Sequence, residues 1–413
     1  MSTVGRHPVL LLLGAPLALL GCGASDSVEP ASSVVDSAGI EIVTSSSGQW
    51  EEGAGWTISE RHSIRYGGPD AEEQLWRVRS FARASDGTVA VLSAGHSVVR
   101  VFEPDGRLRV NLGGEGAGPG DFDWPYSLSI LRPDTRVVLE RRGTEVFLLD
   151  GTWLESRGGG TVPVGSERNA MATPVIAGAD GSRLAIVSGG LDFDRSGVGR
   201  PPQGAAVFSA GSDEPRFVGW YGGIEQEFID VGGRSMPIVA PFARSTSLGA
   251  GIGTPARFLI ADNARDEVHI VDGGGSLVRI VRWIRPRVRV EEGWVEEWKE
   301  AQRSMEWTSG QLPQLERGWL EMTVNGTLPA FDGVSLDSEG CLWVLRPGRL
   351  TGHGGVFDVF DSDGRLLGAV PAPPGFVGVG PAPVIGRDYF MTVWVNEVGV
   401  ETVRIFDLDR SVE

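Results

Sequence analysis

Ala84-Ser-Asp-Gly-Thr-Val-Ala-Val-Leu-Ser93 begins with an Asp-Gly turn and continues as an apolar run. A short loop joins it to Val98-Val-Arg-Val-Phe-Glu-Pro-Asp-Gly-Arg-Leu-Arg-Val-Asn-Leu112. Asp-Gly between alternating apolar residues is a strong signal for a β-hairpin. With the glycine-rich segment Gly113–Gly120, these stretches make one unit, Val78–Phe122. We predict that this unit folds as a small antiparallel sheet.

The unit recurs along the chain, and its most regular part is a strand that ends on an acidic or small residue. The six copies of this strand end are Val101-Phe-Glu103, Leu148-Leu-Asp150, Val207-Phe-Ser209, Ile270-Val-Asp272, Val359-Phe-Asp361 and Ile405-Phe-Asp407. A repeat of about 40 to 50 residues built from short strands and turns is typical of a propeller blade, since one such sheet buries its two faces only against its neighbours. Six copies therefore predict six blades.

Two of the repeats also resemble a known family of repeats. Leu112-Gly-Gly-Glu-Gly-Ala-Gly-Pro-Gly-Asp-Phe122, followed by Trp124-Pro125, and the stretch Ile260–Asp272 are similar to NHL repeats. Residues 39–413 as a whole resemble the six-bladed β-propeller lipoproteins of bacterial envelopes. The resemblance implies an all-β fold. The spacing of apolar residues within Val290–Met322 predicts, in addition, a helical insertion at residues 285–328 between blades four and five. Either Trp56–Arg65 or Gly39–Thr44 is expected to complete the last blade and close the ring.

Composition agrees with many short strands and argues against one class of partner. The 413 residues include 60 glycines and 25 prolines, and 41% of residues are hydrophobic. The formal net charge is −17, which disfavours nucleic-acid binding because that binding depends on clustered Lys and Arg. The most basic stretch, Arg282–Arg289, alternates with apolar residues and is typical of an exposed strand face.

The N-terminus predicts an export signal and a lipid anchor. An apolar run, Val9–Leu20, follows Arg6 and His7, and Leu19-Leu-Gly-Cys22 resembles a lipobox. We expect a signal peptide at residues 1–21, lipidation of Cys22, a flexible tether at 22–38 and attachment to a membrane in the periplasm or at the outer membrane. A plain secretory signal with an incidental cysteine is the alternative. Cys341, which lies in a strand pattern, is expected to be a small buried hydrophobic residue.

The long segments of the chain are predicted to share one face of the propeller. In an antiparallel blade, the loop between the second and third strands emerges on the same face as the connection to the next blade. Five long segments occupy such positions; they are 113–120, 188–204, 222–240, 285–328 and 346–355. The short Asp-Gly turns lie on the opposite face. Because function is concentrated on long loops of rigid scaffolds, we expect the partner on this face, which we call the long-loop face.

Five residues of the long-loop face are candidates for binding. Trp294 and Trp298 lie at helical spacing within Val290–Met322 and could form a ligand surface or could simply pack onto the propeller. Asp192, Asp194 and His353 are polar residues on two other long loops, where a solvated loop is the alternative.

These observations favour a non-catalytic binding or scaffold module that carries a protein or glycan on the long-loop face, with no cofactor predicted. Some propellers related by the resemblance are lyases or lactone hydrolases with a metal in the channel, so a metal-dependent enzyme with a channel-bound divalent metal is the alternative. No ligand set of that kind maps onto this sequence. A third possibility is a ring that recruits a neighbouring envelope complex.

Overall fold

The computed structural model describes Ala31–Ser411 except residues 52, 69–73, 132–134, 141–142, 149, 165–168, 189–196, 231–234, 304–310, 349–353, 379 and 397. The described residues belong to one compact unit of the chain. The all-β prediction is confirmed, since strands dominate the described residues. Cys22, Asp192, Asp194 and His353 lie outside those residues.

Three strands precede the first repeat. They are β1 (Ser32–Ser37), β2 (Ile40–Ser45) and β3 (Thr57–Tyr66). The prediction of a flexible tether through residue 38 is wrong for Ser32–Ser37, because this segment pairs with β2 in a hairpin. Ala38 and Gly39 both have positive φ, at 56° and 83°, as a tight two-residue hairpin turn requires.

The repeats form successive antiparallel sheets, which we number first to sixth in chain order. The first contains β4 (Val78–Arg83), β5 (Val89–Ser93), β6 (Val98–Phe102) and β7 (Leu108–Leu112). The second contains β8 (Pro125–Leu131), β9 (Thr135–Glu140), β10 (Gly143–Leu148) and β11 (Trp153–Gly158). The third contains β12 (Gly160–Pro163), β13 (Asn169–Ala177), β14 (Arg183–Ser188), β16 (Pro202–Phe208) and β17 (Pro215–Gly222), with β15 (Gly197–Gly199) inserted before β16.

The second half of the chain continues the pattern after β18 (Gln226–Asp230) and β19 (Ser235–Ile238). The fourth sheet contains β20 (Thr246–Ala250), β21 (Arg257–Asp262), β22 (Glu267–Asp272) and β23 (Leu277–Trp283), extended by β2 and β1. Helices α1 (Trp294–Arg303) and α2 (Gln311–Glu321) follow. The fifth sheet contains β24 (Gly333–Leu336), β25 (Leu342–Leu345), β26 (Val356–Phe360) and β27 (Leu366–Pro371), and the sixth contains β28 (Val384–Ile385), β29 (Tyr389–Val395), β30 (Glu401–Asp409) and β3.

The sheets pack face to face, as in a β-propeller. All five residues of β5 are buried, because apolar side chains on both sides of the strand meet a neighbouring sheet. One buried cluster, for example, joins Val268 of the fourth sheet to Leu342 of the fifth. We count β13 as the first strand of the third sheet, because β12 is an additional strand before it. The first strands of the six sheets then contact one another in chain order, from β4 through β8, β13, β20 and β24 to β28.

The N-terminal strand β3 joins the end of the chain to its beginning. β3 pairs with β30 in the sixth sheet, so Trp56–Arg65 supplies the missing strand and Gly39–Thr44 does not. Tyr66 of β3 is fully buried in a cluster that contains Phe81 of the first sheet and Met391 of the sixth. This cluster packs the last sheet against the first one.

Candidate functional site

A central channel runs between the first strands of the six sheets. Its cavity measures about 910 Å³, and side chains or backbone from β4, β8, β13, β20, β24 and β28 line it. Hydroxyl groups on the channel strands connect neighbouring sheets. Ser80 Oγ donates to the carbonyl of Leu128 at 3.1 Å, and Ser129 Oγ donates to the carbonyl of Ala177 at 2.9 Å. These hydroxyls therefore hold adjacent first strands together.

The charged groups of the channel are mainly arginines. Arg79, Arg83 and Arg387 line it together with Asp388. The Arg83 guanidinium lies 4.7 Å from the centre of the Tyr389 ring, a cation–π contact. The lining is thus apolar and hydroxyl-rich, with more cationic than anionic side chains.

Carboxylates are scarce among the channel-lining residues that the structure describes. Divalent ions in proteins are held mainly by carboxylates, histidines, cysteines and carbonyl oxygens. Asp388 is the single carboxylate among the channel-lining residues that the structure describes. No group of three His, Cys, Asp or Glu residues in the described part of the chain is arranged to hold a metal ion.

Three of the long segments meet in an accessory layer, which consists of β15, β18, β19, α1 and α2. β18 pairs with β15 on one side and with β19 on the other, although β15 comes from a loop within the third sheet. Helix α2 packs on β19, and Ile238 and Trp319 form a buried cluster there. The prediction that these long segments share a face agrees with this arrangement.

Hydrogen bonds join the chain segments that flank the accessory layer. Asn325 Nδ2 and the backbone N–H of Arg244 both donate to Glu225 Oε2, at 2.5 and 3.0 Å. Arg244 Nη2 also donates to the carbonyl of Thr327 at 2.9 Å. The connection after the third sheet and the connection after the fourth sheet are therefore fixed to each other.

Trp294 and Trp298 lie in the accessory layer and pack within it. The Trp298 and Trp319 rings are 5.6 Å apart in an edge-to-face arrangement. The Trp294 ring lies 6.2 Å from the ring of Phe242. Both tryptophans of α1 are partly exposed, so they contribute to the small core of the layer and to its surface.

The basic stretch Arg282–Arg289 is an ordinary strand only as far as Trp283, where β23 ends. Beyond it, Arg285 pairs with the buried Asp358, and Arg287 Nη2 lies 3.0 Å from Asp266 Oδ2. These ion pairs connect the fourth sheet and the chain that follows it to the fifth sheet.

A polar pocket of about 230 Å³ lies between the third and fourth sheets. His269 Nε2 is 3.2 Å from Glu267 Oε1, and His269 Nδ1 is 3.5 Å from Tyr221 Oη. Burial lowers the pKa of His269 despite the opposing effect of the Glu267 carboxylate, and burial raises the pKa of Tyr221 to about 12. In its neutral form the imidazole can donate from Nε2 to Glu267 and accept at Nδ1 from the Tyr221 hydroxyl, so both ring nitrogens have a partner.

This pocket is absent from the predictions made from the sequence. Glu267 and His269 are two residues apart on β22 and therefore point to the same side, which is a detectable signal. Tyr221 comes from a different sheet, and no local pattern connects it to them.

The glycine-rich segment Gly113–Gly120 borders a cavity of about 280 Å³ beside the second sheet. The backbone N–H of Gly120 donates to Glu145 Oε2 at 3.2 Å, and the same oxygen accepts from Trp153 Nε1 at 2.7 Å. Asp121 Oδ2 accepts from the N–H of Gly118 at 3.1 Å. The segment is thus held by carboxylates, as expected for a structural connection rather than a phosphate-binding loop.

No protein-family model and no curated protein sequence matches this chain. Solved structures do match in fold. A member of the DUF4221 family from Bacteroides vulgatus has a TM-score of 0.50 at 10% identity over 86% of this chain and 99% of that one. At this identity the likeness shows the fold alone.

Two further solved structures match with lower TM-scores. Virginiamycin B lyase from Staphylococcus aureus has a TM-score of 0.36 at 9% identity, covering 86% of this chain and 100% of its own. Regucalcin from Agrobacterium tumefaciens, described as a calcium-binding protein, has a TM-score of 0.39 at 12% identity, covering 85% of this chain and 96% of its own. None of the helices formed by the described residues has the length and apolar character needed to cross a membrane.

Proposed function

We propose that this chain is a lipid-anchored, six-bladed β-propeller of the bacterial envelope, with NHL-type repeats, that binds a protein or glycan through its long-loop face without catalysing a reaction. The sheet order supports six blades, since six sheets of four to six strands follow one another and β3 completes the last. The lipobox-like Leu19–Cys22 supports the anchor.

The accessory layer is the observation that carries the binding function. Its buried cluster, which contains Ile238 and Trp319, is separate from the clusters between the six sheets. The layer thus has a core of its own and is not needed to fill the space between blades. An ordered layer on a loop face is typical of a recognition surface on a rigid scaffold.

The layer and the chain around it also leave large apolar side chains in solvent. Leu320 on α2 is 83% exposed, and Val198, Val239 and Val288 are 44–46% exposed. Ile224, which is 51% exposed, lines the channel. Exposed apolar side chains of this kind are the anchors that protein partners or sugar rings cover.

The described channel residues favour binding over metal-dependent chemistry. Ser80 and Ser129 use their hydroxyls to hold neighbouring strands. Asp388 is the single carboxylate among the channel-lining residues that the structure describes, whereas divalent ions bound through oxygen depend mainly on carboxylates.

Leu320→Asp tests the proposed binding surface. A photo-reactive amino acid at position 288 would first identify the partner by cross-linking in intact cells, and a glycan array would be probed in parallel. Leu320→Asp is then expected to weaken binding of the identified partner at least tenfold, because a charge replaces an apolar contact. Leu154→Asp is the matched control, since Leu154 is 45% exposed on β11, the outermost strand of the second sheet, away from the long-loop face.

Loss of binding by Leu320→Asp, with full binding by Leu154→Asp, supports the proposed surface. Equal binding by both variants, or equal loss, would contradict it. Circular dichroism of both variants would show whether the fold is retained.

A further inference from the structure

The N-terminal hairpin gives the fourth sheet an unusual outer edge. β2 pairs with β23 in parallel, and β1 then forms the outermost of six strands. Five of the six residues of β1 are exposed, including Val34 at 45% and Val35 at 59%. An exposed, regular edge strand is a ready template for pairing with another chain.

The outermost strands of the other five sheets are protected against pairing with another chain. Among the described residues, β1 has no such protection. A β-bulge interrupts the pairing of β7, β11, β17, β27 and β3 with their neighbours. β27 is covered in addition, because the N–H groups of Gln49 and Trp50 both donate to the carbonyl of Leu367 at 2.7 Å. The β1–β2 pairing continues over six residue pairs without a register shift. Bulges and covering segments are the usual devices against edge pairing, and β1 has neither among the described residues.

The register of the hairpin determines which backbone groups of β1 face outward. The N–H of Ser46 donates to the carbonyl of Ala31 at 3.0 Å, so Ala31 directs its carbonyl towards β2. Backbone groups alternate along a strand, so Ser33, Val35 and Ser37 also face β2. Ser32, Val34 and Asp36 therefore direct their N–H and C=O groups to the free edge.

We infer that β1 pairs with β1 of a second copy of this chain, in an antiparallel register centred on Val34. In this register Val34 is opposite Val34 of the second copy, and Ser32 is opposite Asp36. Each of the three residues with outward-facing backbone groups is then opposite a residue of the second copy whose N–H and C=O groups also face outward. A two-fold axis through the Val34 pair makes the contact closed, so it yields a dimer and not a fibre.

Charge and side-chain character fit this register. Asp36 is the one charged residue of β1. In this register it is opposite Ser32 of the second copy and not opposite Asp36 of the second copy. The two Val34 side chains form an apolar pair on one face of the joined sheet. The net charge of −17 opposes association, so the dimer is expected to strengthen as salt rises.

Disulfide cross-linking of the full-length, membrane-bound chain tests the register. Residues that form a hydrogen-bonded antiparallel pair have Cα atoms about 5.5 Å apart, within the range of a disulfide. Val34→Cys is expected to give a cross-linked homodimer under mild oxidation. Val35→Cys is the matched control, because Val35 is opposite Ser33 and its own copy lies about 7–8 Å away diagonally.

A second variant separates pairing from folding. Val34→Pro removes an N–H that faces outward, so the β1–β2 hydrogen bonds remain while the edge is blocked. The wild-type chain in detergent is expected to sediment as a concentration-dependent dimer, and Val34→Pro as a monomer with an unchanged circular dichroism spectrum.

Two results would overturn the inference. One is a wild-type chain that stays monomeric at the highest concentration reached, together with cross-linking that does not distinguish Val34→Cys from Val35→Cys. Such cross-linking would be either equal in the two variants or absent from both. The other is a Val34→Cys disulfide to a different protein in place of the homodimer, which would assign β1 to a foreign strand.

Discussion

Asp337 is a buried carboxylate in the turn between β24 and β25, and it accepts four hydrogen bonds. Oδ1 accepts from the N–H groups of Glu339 and Cys341 at 2.9 and 2.8 Å. Oδ2 accepts from Trp343 Nε1 at 3.0 Å and from Arg410 Nη2 at 2.8 Å. One side chain thus fixes a turn of the fifth sheet, the core tryptophan of that sheet and the chain that follows β30.

Asp337→Asn is expected to lower the free energy of unfolding by about 3 kcal/mol, because it removes the charge that balances Arg410 and places an amide N–H among donors. The measurement is urea unfolding followed by tryptophan fluorescence. Asp363→Asn is the control, since Asp363 is 62% exposed and pairs only at the surface; its change should stay within about 0.5 kcal/mol. Equal losses in the two variants would contradict the role given to Asp337.

The tryptophans of α1 show what sequence can predict at the residue scale. The spacing of Trp294 and Trp298 predicts a helical stripe, and helix α1 contains both. Their ring partners, Phe242 and Trp319, lie far away along the chain and follow no shared period. Local spacing therefore predicts the side of the helix that packs, and not what it packs against.

Among the elements, β12 is the one that departs most from a regular repeat. This four-residue strand pairs with β13 and also contacts β17, the far edge of its own sheet. Val162 of β12 is buried in a cluster with Ala185, Ala206 and Phe208. Small alanine side chains leave room for an extra strand over the face of the sheet.

Ala206→Leu is expected to destabilise the protein by about 1–3 kcal/mol, because the added atoms occupy space that β12 fills. Ala382→Leu is the control, since Ala382 is exposed at the channel and a larger side chain fits there. The urea unfolding midpoint of each variant is compared with that of the wild-type chain. A loss in Ala382→Leu as large as that in Ala206→Leu would contradict the packing argument.

Elements with a repeated pattern are predicted well, and the elements near the N-terminus are not. The six strand ends that define the repeat match β6, β10, β16, β22, β26 and β30. Ser32–Ser37 is small and polar, so its sequence resembles a tether, and only pairing with β2 makes it a strand. Both Gly39–Thr44 and Trp56–Arg65 have strand patterns, and the choice between them depends on tertiary contacts such as those of Tyr66.

At the scale of the whole molecule, strand parity predicts the arrangement of the long segments. Antiparallel strands alternate in direction, so loops of the same order leave the sheets on the same face. The accessory layer formed by β15, β18, β19, α1 and α2 agrees with that rule. The pairing of β15 with β18 could not be predicted, because Gly197–Gly199 has almost no side chains to define a strand.

The predicted lipid anchor would determine where the proposed binding face acts in the cell, and Cys22→Ser tests this anchor. In a bacterial host, the wild-type chain is expected to incorporate labelled palmitate and to sediment with membranes, because each buried acyl CH₂ contributes about 0.8 kcal/mol to anchoring. Cys22→Ser should lose the label and at least tenfold of its membrane-bound fraction. Cys341→Ser, which alters the other cysteine, should retain both. An unlabelled wild-type chain that is exported in soluble form would instead establish a plain secretory signal.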